Sequence, residues 1–338
     1  MKEKPTPTMR ELSRWIRDYG HDPRQLPRLF ADLFVWHQLW AAMDIIDDVD
    51  NAMAAYLDSE FPTNIGEKYL RIYGALQGLF LQQDALLNLI GTIHPAKNIR
   101  LNDVLKDIRE ARNASIGHPT QLRRKGVLSA HGIVQHSMRK DGFELLSYPE
   151  KDGKMFQYVP VRRLIEKQRA EAVRILSEVV EDLREQEEAH RARFREIKLM
   201  AVFNQVSYAF EKIFEEIRGD FSRGLGSWAV DQLRKSLDDF GALLKARGLG
   251  IDSYDSIEYL YDQIEHPLTE LTKFVRKEPS EILSNKSAVV FVEALKSYFG
   301  ELRQIAREID EEYSSEPGPV VQAEPHNLPI TFTITPKP

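Results

Sequence analysis

Cysteine is absent from all 338 residues, which excludes disulfide scaffolds, thiolate zinc sites, iron–sulfur clusters and cysteine nucleophiles. The absence also suits a reducing compartment. No stretch approaches the ~18 consecutive apolar residues of a membrane span. The opening Met1-Lys2-Glu3-Lys4-Pro5-Thr6-Pro7-Thr8 puts charge and proline where a signal peptide needs an apolar run. A cytoplasmic protein without membrane contact is the expectation. Excess positive charge is lacking too, since the net charge of −6 argues against a generic polyanion binder. There is no glycine-rich phosphate loop, zinc-metalloprotease motif or nucleophile elbow.

What the chain does have is helical periodicity. With 42% hydrophobic and 29% charged residues it can bury a core without metals or crosslinks, and its length suggests two domains. Pro27 suits the first position of a helix. From there Leu33, Trp36, Leu39, Trp40, Met43 and Ile46 recur at helical spacing to about Asp58. Pro62-Thr63-Asn64 breaks the pattern before a helix from about Glu67 to Ile90. Asn102 or Asp103 caps a shorter one, which must end near Gly117-His118 because Pro119 disfavours helical geometry in the residue before it.

β-formers punctuated by Asp141-Gly142 and Asp152-Gly153 then predict a hairpin or three-stranded appendage near 127–159. Val161 to Arg218 contains neither Gly nor Pro and passes through a polar run between Arg184 and Arg193, where the domain boundary is placed. Helices follow at about Trp228–Arg247, Tyr254–Lys277 and Pro279–Tyr313. His118-Pro119 and His266-Pro267, each read as following a helical segment, hint weakly at two related bundles. The predicted class is mainly α. It comprises an N-terminal extension (1–26), a helical bundle with a small β-hairpin insertion (27–188), a second helical bundle (189–313) and a flexible proline-punctuated tail (314–338), strand-like at Ile330–Ile334.

The most informative segment is Asp107-Ile108-Arg109-Glu110-Ala111-Arg112-Asn113-Ala114-Ser115-Ile116-Gly117-His118-Pro119. Six residues of regular helix turn through about 600°, leaving Arg112 and His118 on different faces. They converge only if the helix unwinds at Ser115-Ile116-Gly117 or a partner chain completes the site. Around them Lys106, Arg109, Arg123, Arg124, Lys125, Arg139 and Lys140 make one part of the chain basic. The bland alternative pairs Arg112 with Glu110 or Asp107 on the surface and leaves His118 as a helix cap.

Arg112-Asn113 followed by His118, after two long helices and before a hairpin, resembles the signature of the HEPN superfamily of four-helix-bundle proteins. The resemblance covers roughly Phe30 to Leu183. It implies a metal-independent, cofactor-free endoribonuclease whose motifs meet across a homodimer, in the role of a toxin or defence effector. By that resemblance Arg112 and His118 are the working pair and Asn113 supports them. Arg109, Arg123, Arg124, Lys125, His131 and His136 would contact RNA. Many members of the family are non-catalytic. The second reading is therefore a helical adaptor or dimerisation module that binds a partner protein through the C-terminal bundle or tail. Asp44, Asp47 and Asp48, at i, i+3 and i+4, could ligate Mg²⁺, but no second acidic cluster faces them, and a solvated acidic face is favoured. No metal site is expected.

Overall fold

The computed structural model describes residues 7–21, 33–94, 100–124, 127–150, 153–219 and 224–314. It is mainly helical, with one small antiparallel sheet. Chain contacts divide it into two compact units, residues 1–21 with 29–183, and residues 22–28 with 184–338.

In the first unit, α1 is Met9–His21, inside the segment expected to be an extension. The long helices α2 (Leu33–Asp58) and α3 (Ile65–Ile93) follow. Leu39, Met43, Ile46 and Met53 of α2 and Ile72, Leu76, Leu79 and Leu86 of α3 recur every three or four residues and are all buried. At Gly78 the two helices approach so closely that an added Cβ would lie 2.9 Å from Met53 Cε. Next come α4 (Asp103–Arg112), a π turn (Asn113–Gly117), β1 (Leu122–Arg124), β2 (Val127–Ile133), β3 (Phe143–Pro149), β4 (Met155–Val159) and α5 (Val161–Phe194).

The sheet has four strands in the order β1-β2-β3-β4, not the two or three expected. His136 lies outside it, in a 3-10 turn at Gln135–Ser137, and not in a strand pair. Phe143, Leu145 and Val159 are the buried side of the sheet. A fully buried glutamine network threads the helical core. Gln82 Nε2 donates to Ile46 O (3.1 Å), Gln168 Nε2 to Gln82 Oε1 (3.0 Å), and Gln83 Nε2 to Gln168 Oε1 (2.8 Å) and Leu105 O (3.1 Å). Every amide thus has a partner, as buried polar groups require.

The second unit takes the last turns of α5, a 3-10 turn (Leu199–Phe203), and the helices α6 (Val206–Arg218), α7 (Leu225–Ala246), α8 (Asp255–Val275) and α9 (Asn285–Ser314). They share one apolar core that includes Phe203, Phe210, Phe240, Leu268, Val292 and Phe299. α9 begins at Asn285 rather than Pro279, and His266-Pro267 sits inside α8 rather than after a helix. The Gly- and Pro-free stretch breaks after Phe194 because Asp310 of α9 reaches back. Its two carboxylate oxygens accept the N–H groups of Leu199 and Met200, both at 2.9 Å, and so cap the 3-10 turn. Pro27, Lys125 and the tail from residue 315, with its strand-like Ile330–Ile334, lie outside the described residues.

Candidate active site at a π turn

Asn102 starts α4 by accepting the Leu105 N–H at 3.0 Å, while its own amide donates to Glu171 on α5. The end of α4 is less regular. The His118 N–H donates to Asn113 O at 2.8 Å, an i→i+5 bond that widens the last turn by one residue. Such π bulges are uncommon and concentrate at functional sites. Ser115, buried in the turn, bonds back to Ala111 O at 2.7 Å.

Widening the turn lets Arg112 fold back over it. An ideal Cβ on Gly117 would lie 2.4 Å from Arg112 Nη1 and 3.0 Å from Asn113 Oδ1, so only glycine leaves the guanidinium this space. Arg112 Nη1 donates to Asn113 Oδ1 at 2.9 Å and Nη2 to Gln77 Oε1 at 2.8 Å. Its guanidinium carbon stands 4.3 Å from the centre of the Phe80 ring. Nε is buried without a hydrogen-bond partner. No carboxylate among the described residues pairs with this charge, so neither Glu110 nor Asp107 takes the surface-pair role.

Arg109 differs. It stacks on the same ring at 4.4 Å, donates to Gln83 Oε1 at 3.2 Å and is neutralised by Asp84. Like charges of two guanidiniums therefore meet at Phe80, and one is compensated while the other is not. The buried glutamine network ends on Arg109 through Gln83, which fixes α4 against α3. Gln77, Phe80 and Asp84 escaped the sequence reading, although their i, i+3, i+7 spacing marks one face of α3.

His118 closes the turn, exposed to solvent, with Arg112 packed against the residue before it. Asn113 uses its amide oxygen to hold Arg112, leaving Nδ2 as a donor. No family model, curated protein or solved structure matches this chain.

The remaining expected contacts scatter. Arg123 is exposed on β1, and Arg124 pairs with Val127 at the next register position. His131 is half-buried between two hydroxyls, Ser129 Oγ at 2.9 Å from Nε2 and Ser147 Oγ at 2.8 Å from Nδ1, and burial pushes its pKa down. His136 is exposed in its 3-10 turn. In the acidic triplet Asp44 and Asp47 accept from Arg17 at 2.9 and 3.0 Å, and no cluster of three metal-ligating side chains occurs among the described residues. His94, at the end of α3, lies 3.0 Å from Asp182, and His266 lies 3.3 Å from Glu281.

Proposed function

We propose that the first unit is a metal-independent endoribonuclease of HEPN type. The 2′-OH of RNA attacks its own 3′ phosphate, forming the O2′–P bond as the P–O5′ bond breaks. A proton leaves the hydroxyl and another reaches the departing O5′. Arg112 holds the extra negative charge of the pentavalent phosphate through its planar fork, and Asn113 sets the plane of that fork. His118, exposed at the end of the turn, carries a proton as general acid or base. One imidazole serves one transfer, and a second copy of the chain supplies the other. An exposed stripe on α3, Leu70, Tyr73 and Leu81 flanking Gln77, supports such a pairing beside the site.

The observation that carries the reading is the uncompensated Arg112 guanidinium folded over a π turn against Gly117, one residue from an exposed histidine. Incubating the protein with RNA in EDTA is expected to give 2′,3′-cyclic phosphate and 5′-hydroxyl ends. His118→Ala should slow cleavage by ~10²–10⁴-fold; unchanged cleavage by that variant removes the mechanism.

The adaptor reading draws on the second unit. There Tyr208 and Trp228 form an edge-to-face pair, both exposed, as partner-binding aromatics are. On that reading Arg112→Ala changes assembly and there is no nuclease activity to lose.

A further inference from the structure

The sheet of the first unit has a second face that its core does not use. Register places Glu144, Leu146 and Tyr148 of β3 and Phe156 and Tyr158 of β4 opposite the buried Phe143, Leu145 and Val159 side. Leu128, Ala130 and Gly132 of β2 and Arg123 of β1 complete it. Three aromatic rings stand on it in the open, Tyr148 43%, Phe156 65% and Tyr158 53% exposed. Phe156 is the hinge of the set. Tyr158 is two residues along the same strand, about 7 Å away, and Tyr148 is its diagonal neighbour across the ladder, at ~7–8 Å. On β2, across Leu146 from Phe156, a Cβ on Gly132 would meet nothing within 4 Å, so the floor on that side of Leu146 is open.

Basic side chains border this face. Lys154 Nζ stands 5.9 Å over the Tyr148 ring, and Arg123 is exposed at the same end. Of the acids, Glu144 lies at the other end, opposite Tyr158, while the exposed Glu150, whose N–H donates to Leu128 O, follows Tyr148 at the cationic end. Leu122–Val159 carries seven Lys or Arg against four Asp or Glu, in a chain of net charge −6. Exposed rings, spaced about one nucleotide apart and bordered by cations, are the chemistry that takes unpaired bases and their phosphates. The sheet is also tied to the candidate site, because the His131 N–H of β2 donates to Pro119 O, the residue after His118.

We propose that this face is a stacking platform for single-stranded RNA, with Phe156 and Tyr148 each holding a base and Lys154 and Arg123 holding the backbone. The proposal rests on the ribonuclease reading for its choice of RNA and gives that reading a substrate class, the unpaired strand. A duplex, whose base faces are covered by their neighbours, is a poor ligand for it.

The test is fluorescence anisotropy of a labelled single-stranded oligouridylate on the full chain, in the His118→Ala background so that the probe survives. Phe156→Ala and Tyr148→Ala should each weaken binding about tenfold, as loss of one base–aromatic stack does. Phe156→Leu should weaken it nearly as much, and Phe156→Tyr should restore it. The same strand annealed to its complement should bind more weakly than when single. Unchanged affinity in Phe156→Ala and Tyr148→Ala overturns the platform. So does unchanged affinity together with a changed oligomeric state, which would make the face a protein interface. The outcomes separate from those of the cleavage assay. Affinity lost by Phe156→Ala in a protein that never cuts RNA sinks the nuclease and keeps the platform. Cleavage by the parent with affinity untouched by these variants does the reverse.

Discussion

Two arginines, one in each unit, close a helix against aromatic rings and are held in opposite ways. Arg247 follows α7 with its side chain fully buried. It lies 3.6 Å from Asp310 Oδ1, donates to the carbonyls of Ile197 and Leu243, and sits 5.5 and 5.3 Å from the rings of Phe194 and Tyr313. Burial pushes its pKa down, and the neighbouring Asp310 carboxylate opposes that. Arg112 ends α4 half-buried, its hydrogen bonds made to neutral amides alone. A guanidinium answered by a carboxylate and carbonyls has spent its charge on the fold. One answered by amides alone has no carboxylate among the described residues to offset its charge.

The largest expected effect breaks the first of these. Arg247→Met strands Asp310 in the core beside the two N–H groups it caps, and should cost ~3–5 kcal/mol by urea denaturation. Adding Asp310→Asn should cost less than the sum of the single changes, because the two groups are coupled. Arg112→Gln is the contrast. Its loss should stay under ~1 kcal/mol in stability while cleavage falls ~10²–10³-fold. Equal destabilisation by the two substitutions would abolish the distinction.

A smaller effect tests the fit of Arg112 over its turn. In Gly117→Ala the new methyl meets Nη1, so either the guanidinium leaves or the turn opens. On the ribonuclease proposal, cleavage should fall ~10–100-fold through misplacement of the Arg112 guanidinium, for ~1–3 kcal/mol of overpacking. Gly132→Ala, with nothing near its Cβ, should leave the fold almost untouched. Similar losses from both glycines would mean that Gly117 matters only for backbone freedom.

The periodic parts of this arrangement were legible in the residues. Apolar spacing located α2 and α3, Asn102 marked the start of α4, and the geometric conflict between Arg112 and His118 pointed to an unwound turn at Ser115-Ile116-Gly117. What escaped depends on groups distant in sequence. The break after Phe194 has no Gly or Pro because Asp310, more than a hundred residues on, supplies the cap. Asp44 and Asp47 look like a ligand set until Arg17 is placed against them. Pro279 offered a tidy helix start, yet Glu270 accepts the N–H of Glu281 at 2.7 Å and holds that stretch out of helical form. His131 lies in β2, but the chain leaves the sheet at Ile133 and re-enters it at Phe143, so His136 falls outside the strands expected near 127–159. No local pattern encodes the neutrality of Arg112's partners, since Gln77 lies on another helix.

Acid offers the finest comparison of the two units, because each carries a group whose folded pKa is depressed. In the first, burial lowers His131 from 6.5. In the second, Lys273, then the Glu281 N–H and Ser280, hold Glu270 at about 2 against 4.5. In both cases the unfolded chain takes up a proton at a higher pH than the fold does, so stability is lost as pH falls. For His131 the loss begins near 6.5; for Glu270 it begins near 4.5 and runs on toward 2. Urea midpoints followed across pH should therefore flatten in the upper window for His131→Gln and in the lower one for Glu270→Gln. The histidine effect should be the smaller, since water still reaches a half-buried ring and screens its charge. If Glu270→Gln keeps the parent's slope below pH 4.5, the carboxylate's partners do not stabilise its charged form, and the 276–284 connection owes its shape to packing of Ile282 instead.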